Sequence, residues 1–213
     1  MTKVKVCGLR RVEDIGFVNE LNPDYVGFVF AKSKRKVDLG TASELIKNLK
    51  ENIHTVGVFV NEDPQVVRNI GETLKLKVLQ FHGDEDGEYI SKFKDFTVWK
   101  VISVQCGEEI DEEEIKAQLL EKLQQFEAIV DGIVLDSSIK GVKGGTGISF
   151  DWNILKTIQF NKPFVLAGGL NPSNAQEAIL KASPQVLDVS SGVETEGVKD
   201  FNKIKDFIEK VRN

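Results

Sequence analysis

Any chemistry done by this chain has to come from a small set of side chains that stand where apolar runs end. Lys3-Val4-Lys5-Val6-Cys7-Gly8 alternates polar and apolar, the period-two signature of a strand, and it stops on a thiol and a glycine. A cysteine there is either a small buried hydrophobe or, placed just ahead of a helix, a reactive thiol. Asp136 follows Ile133-Val134-Leu135, apolar neighbours that would raise a carboxyl's pKa and let it act as an acid. A helix cap or a salt-bridged carboxylate is the plainer reading of the same aspartate. His82, in Gln80-Phe81-His82-Gly83, suits a base, a hydrogen-bond donor or a structural role, and Arg35 could fork onto a carboxylate or simply be an exposed loop arginine.

Two further stretches are rich in small residues. Ala167-Gly168-Gly169-Leu170-Asn171 and Asp188-Val189-Ser190-Ser191-Gly192 would let backbone N–H groups approach an anion while the Ser190 and Ser191 hydroxyls add donors. The alternative is that the glycines only turn the chain. Gly144-Gly145-Thr146-Gly147 lacks the lysine and spacing of a P-loop and reads as a backbone-contact loop. With only His54 and His82 present no metal cluster is expected, and Cys106, in the loop after the fifth strand, has no context that suggests a role.

These residues need elements to hold them. β-Branched runs predict strands over Lys3–Gly8, Tyr25–Phe30, Thr55–Val60, Val78–Gly83, Val98–Val104, Gly132–Asp136, Pro163–Gly169 and Val186–Gly192. Amphipathic spacing predicts helices between and after them, over Arg11–Leu21, Thr41–Lys50, Pro64–Leu74, Gly87–Phe93, Asp111–Phe126, Trp152–Ile158, Ser173–Lys181 and Phe201–Val211. Asp63-Pro64, Asn171-Pro172-Ser173 and Asp151 supply helix-start signals. Strict alternation implies parallel strands with right-handed crossovers, and eight such units predict one α/β domain over residues 1–213, a (β/α)8 TIM barrel of eight parallel strands. In that fold the carboxyl ends of the strands share one rim. Cys7, Arg35, His82, Asp136, Gly168, Gly169, Asp188, Ser190 and Ser191 would all gather there, with anion binding at the last two loops.

Composition narrows the function class. The 33 acidic residues outnumber 28 basic ones for a net charge of −5, and the densest basic run, Lys32 to Lys36, lies in a loop, so no nucleic-acid partner is expected. An apolar share of 41% and a charged share of 29% are those of an ordinary globular protein. No apolar run is long enough for a membrane span, and Lys3 and Lys5 interrupt any signal-peptide core. Two cysteines without a CxxC pair fit a reducing cytoplasm. Glu108-Glu109-Ile110-Asp111-Glu112-Glu113-Glu114 reads as a solvated helix start, where negative charge complements the dipole.

Several of these stretches together resemble one family. KVCGL from Lys5, Val26–Phe30 with Lys32-Ser33-Lys34-Arg35, VGVFVN over Val56–Asn61, QFHGD over Gln80–Asp84, Leu135-Asp136, Gly144–Gly147 with Phe150-Asp151-Trp152, LAGGLN over Leu166–Asn171, and LDVSSGVE over Leu187–Glu194 with Gly197–Asp200 are similar to phosphoribosylanthranilate isomerase, the (β/α)8 enzyme of tryptophan biosynthesis. The resemblance implies an Amadori rearrangement of a phosphosugar-anthranilate substrate, without cofactor or metal, by a monomer or homodimer. It implies Cys7 as general base and Asp136 as general acid, Arg35 on the anthranilate carboxylate, and His82 and Asp188 on the ribosyl part. Gly168, Gly169, Ser190 and Ser191 would hold the phosphate. A thiol used in this way needs its pKa modestly depressed. Two related phosphosugar enzymes fit less well: indole-glycerol-phosphate synthase would want a lysine at a strand end, and a metal-dependent epimerase would want more histidines.

Overall fold

The computed structural model describes residues 1–106, 111–139 and 152–213. The Gly144–Gly147 loop, the Asp151 cap and Glu108-Glu109-Ile110 lie outside the described residues. Strands β1 (Lys3–Cys7), β2 (Tyr25–Val29), β3 (His54–Phe59), β4 (Val78–Phe81), β5 (Thr97–Cys106), β6 (Gly132–Ile139), β7 (Phe164–Ala167) and β8 (Val186–Val189) pair in parallel in sequence order. The barrel closes where β1 meets β8, with Lys5 opposite Asp188. Around it run α1 (Val12–Leu21), α2 (Leu39–Lys47), α3 (Pro64–Thr73), α4 (Gly87–Ile90), α5 (Glu112–Phe126), α6 (Ala175–Ala182) and α7 (Phe201–Arg212). Phe201 of α7 meets Phe17 of α1 edge to face at 5.5 Å between ring centroids, joining the last helix to the first.

Both faces of these strands are covered, so alternation sorts two interiors, one inside the barrel and one beneath the helices. Val4, Val6, Phe28, Phe59, Leu79, Phe81, Ile133, Leu135, Leu166 and Leu187 face the helices and are buried there. The opposite parity fills the barrel with Val56, Val78, Trp99, Val101, Val134, Val165 and Val186, and Tyr25 packs on Trp99. Lys5, Cys7, Gln80, Asp136 and Asp188 share that inward parity. The site is therefore a polar layer resting on a dry β-branched one.

Several boundaries differ from the sequence reading. The β5–β6 ladder continues past the rim to pair Cys106 with Ile139, so Asp136 lies inside its strand and Cys106 belongs to β5 rather than to a loop. The connection predicted as an α-helix at Trp152 is a 3-10 helix, Trp152–Thr157, the form short segments favour, and α4 likewise runs on as a 3-10 turn, Ser91–Phe93. α6 starts at Ala175 rather than Ser173, because Asn171 Oδ1 accepts the Ser173 N–H at 2.8 Å and fixes a turn first. Asp63 caps α3 as expected, with Pro64 in its first turn. After β8 the chain forms a 3-10 turn, Ser191–Val193, and then a small hairpin, β9 (Glu194–Thr195) and β10 (Val198–Lys199). Its turn residues, Glu196 and Gly197, both have positive φ, the requirement of a type I′ turn.

Candidate active site

Along the inner rim the consecutive strands β1, β8, β7 and β6 carry Cys7, Asp188, Ala167 and Asp136. Cys7 is 9% exposed, and its sulfur occupies the space that a side chain at Gly27 would need: a Cβ there would lie 2.6 Å from Sγ. Below it Lys5 is wholly buried, donating to Asp188 Oδ2 at 2.6 Å and to Gln80 Oε1 at 2.9 Å. Burial alone would lower the Lys5 ammonium, but Asp188 and the Cys7 sulfur outweigh it and the net direction is up. Asp188 keeps its other oxygen, Oδ1, buried and without a hydrogen bond among the described residues. On the far side of the row His82 Nε2 lies 3.3 Å from Asp136 Oδ2, both side chains only partly exposed. Asp136 in turn acts electrostatically on Asp188, and Asp188 on Cys7, so the three acidic groups form one interacting row.

The surroundings of Cys7 do not by themselves supply the depression that a thiol base needs. Burial pushes Cys7 up from the ordinary thiol value; Lys5 and Lys199 oppose that, Asp188 adds to it, and the net direction is up. In the free protein at neutral pH the group is therefore mostly a thiol, and a thiolate needs the neighbouring cations.

Arg35 is engaged. Its Nε and Nη2 fork onto Glu194 at 2.7 and 2.8 Å, and Lys199 Nζ meets the same carboxylate at 2.8 Å. Burial by itself would raise Glu194, yet the hydrogen bonds from Arg35 and Lys199 hold its carboxyl at about 2. Lys199 also donates to the Ser190 carbonyl at 3.0 Å, and the Ser190 hydroxyl donates to the Cys7 carbonyl at 3.0 Å. The hairpin thus ties the arginine to the end of β1.

The loop after β7 turns on two glycines. Gly168 and Gly169 have φ of 80° and 66°, open to glycine at little cost. A Cβ on Gly168 would also collide with Ser137 and the Asp136 carboxyl, so this glycine borders that carboxyl. The Gly169 carbonyl accepts from the Asn171 and Asn174 side chains at 3.2 and 3.0 Å. Ser191 opens the 3-10 turn after β8.

The structure brings Cys7, Asp136, His82 and Asp188 together at the mouth, with Arg35 joined to the end of β1 through the hairpin. It also shows partners that the sequence reading did not name. These are Lys5, Lys199 and buried Glu85, none of which carries a sequence signal of its own. Glu85 accepts the Asn61 and Gly83 N–H groups at 2.8 and 2.9 Å and takes Lys100 Nζ at 2.9 Å, pinning the loop that carries His82. Among the described residues no three His, Cys, Asp or Glu side chains gather as a metal site, and no helix is long and apolar enough to cross a membrane.

Comparison with known proteins points to one family. A family model for N-(5'phosphoribosyl)anthranilate (PRA) isomerase matches residues 4–210. N-(5'-phosphoribosyl)anthranilate isomerase of Thermoanaerobacter pseudethanolicus is 55% identical over 212 residues, covering 100% of this chain and 98% of the relative. The phosphoribosyl anthranilate isomerase of Thermotoga maritima, an enzyme described as dimeric and also solved as monomers, superposes with a TM-score of 0.85 at 34% identity, covering 100% of this chain and 99% of that one. Another isomerase structure, holding reduced 1-(o-carboxyphenylamino)-1-deoxyribulose 5-phosphate, has a TM-score of 0.79 at 32% identity, with 100% and 99% coverage. The chain belongs to the N-(5'-phosphoribosyl)anthranilate isomerase family.

Proposed function

We propose that Cys7 is the base and Asp136 the acid of the Amadori rearrangement that turns N-(5'-phosphoribosyl)anthranilate into 1-(2-carboxyphenylamino)-1-deoxyribulose 5-phosphate. The activity is that of the family, an aldose–ketose isomerisation in tryptophan biosynthesis; the proposal concerns the groups that perform it. Asp136 gives its proton to the ring oxygen as the C1–O bond breaks, and the aniline nitrogen lone pair forms an iminium. The Cys7 thiolate then takes the proton from C2, whose electrons make the C1–C2 double bond of an enolamine. Tautomerisation leaves the ketone at C2. Oxidation at one carbon balances reduction at the next, so the route uses side chains alone.

What carries this reading is the inward row of Cys7, Asp188 and Asp136 on one rim. The bare Asp188 Oδ1 is a buried acceptor suited to a ribosyl hydroxyl, and His82 stands beside the acid. Arg35 keeps Nη1 for the anthranilate carboxylate while Glu194 holds the rest of the fork. Gly168, Gly169, Ser190 and Ser191 take the phosphate on the neighbouring loops of β7 and β8. Holding both ends of the substrate supplies proximity to the two groups between them. Every proposed group comes from one chain, so a monomer suffices and a homodimer is compatible. A reducing cytoplasm keeps the Cys7 thiol free.

The test is the fluorescence decay of freshly made phosphoribosylanthranilate. Cys7→Ala and Asp136→Asn should each slow turnover by about 10²–10⁴ while phosphate-ligand binding is retained. Wild-type rates in both variants would overturn the assignment.

A further inference from the structure

We infer that Lys5 is a positioning residue of this site: its buried ammonium, two residues below Cys7 on the same inward face, holds the sulfur and the Asp188 carboxylate as one charge-coupled unit. The inference rests on Cys7 being the base.

Folding gives little reason for a lysine here. Val56, Val134 and Val165 show that the barrel interior accepts β-branched residues, and lysine is almost never fully buried unless it is paired. Taking an ion pair out of water is costly, so an apolar side chain would serve stability as well. The ammonium has three protons. One goes to Asp188 at 2.6 Å and one to Gln80 at 2.9 Å, and the Cys7 sulfur, two residues on along the same inward face, feels the charge of the same ammonium.

The other charged groups around Cys7 have different commitments. Lys199 on β10 is held by Glu194 and Ser190, and Arg35 in the loop after β2 is held by Glu194. Asp188 on β8 faces the thiol as a like charge once the thiol ionises, while Asp136 and His82 act on Asp188 from the other side. When Cys7 loses its proton, two anions stand over one ammonium, and Lys5 is the cation that is paired with Asp188 and acts electrostatically on the sulfur. It never touches the substrate; it acts through the base and through Asp188.

Iodoacetamide alkylation of Cys7 across pH tests this, read by mass spectrometry in a Cys106→Ser background. Lys5→Met should raise the alkylation midpoint by a pH unit or more, about a tenfold loss of rate at a given pH below it. Asp188→Asn alone should lower the midpoint, because the ammonium then serves the sulfur undivided. Adding Lys5→Met to Asp188→Asn should raise it again by a unit or more, and this charge-balanced pair of variants decides the matter if Lys5→Met does not fold. The same midpoint with and without Lys5 would overturn the inference. Wild-type turnover in Cys7→Ala is a distinguishable result: it removes Cys7 as base, and with it the role of Lys5, whatever the alkylation shows.

Discussion

Replacing Glu194 by glutamine keeps its shape and removes the charge that Arg35 and Lys199 share. The carboxyl sits at about 2 instead of its ordinary 4.5, and its side chain is 5% exposed. Each tenfold in proton affinity is about 1.4 kcal/mol, so the pairing stabilises the fold by at most about 3.5 kcal/mol; screening at the rim brings that to roughly 2. A depressed folded-state pKa gives stability that is fully present above the ordinary value and lost as pH falls toward the folded one. Urea unfolding at pH 7 should therefore find Glu194→Gln less stable by roughly 2 kcal/mol. At about pH 3.5, one pH unit below the ordinary value, the gap should have narrowed by roughly 1 kcal/mol, because the wild type has begun to lose the same interaction. The variant should also raise KM about tenfold with kcat little changed, since the Arg35 fork loses its brace. A stability gap that stays constant or widens as pH falls would refute the pairing argument.

Two other substitutions probe how the rim is built. Gly27→Ala puts a methyl 2.6 Å from the Cys7 sulfur and should cost about 1–3 kcal/mol in urea unfolding while lowering kcat. Lys100→Met leaves Glu85 buried without its cation, and should cost about 3–5 kcal/mol by the same assay.

Much of this layout is legible in the residues. Apolar runs ending on Cys7, Asp188 or a Gly-Gly pair mark parallel strands, and the motifs around them point to the family. Parity is legible as well, but its direction is not. Lys3-Val4-Lys5-Val6 looks like a strand with its lysines in water, whereas in a parallel sheet covered on both faces Val4 and Val6 lie beneath the helices and Lys5 lies inside the barrel. Lys100 misleads in the opposite sense: it points outward from β5 yet is buried beneath the helix layer against Glu85 and the Phe126 ring. The β9–β10 hairpin, with two-residue strands, is too short to leave a periodic signal. The apolar run Ile133-Val134-Leu135 puts the strand end at Asp136, but the ladder to β5 continues through Ile139 and supplies backbone partners that outweigh composition.

A crystal structure with a product analogue bound would show whether the sugar sits between the two groups. Cys7 Sγ should lie about 3–3.5 Å from the sugar C2 and the Asp136 carboxyl within hydrogen-bonding reach of the former ring oxygen, with the phosphate on the Gly168-Gly169 and Ser190-Ser191 loops. An analogue seated with either group out of reach of the sugar, or with its phosphate elsewhere, would contradict this placement.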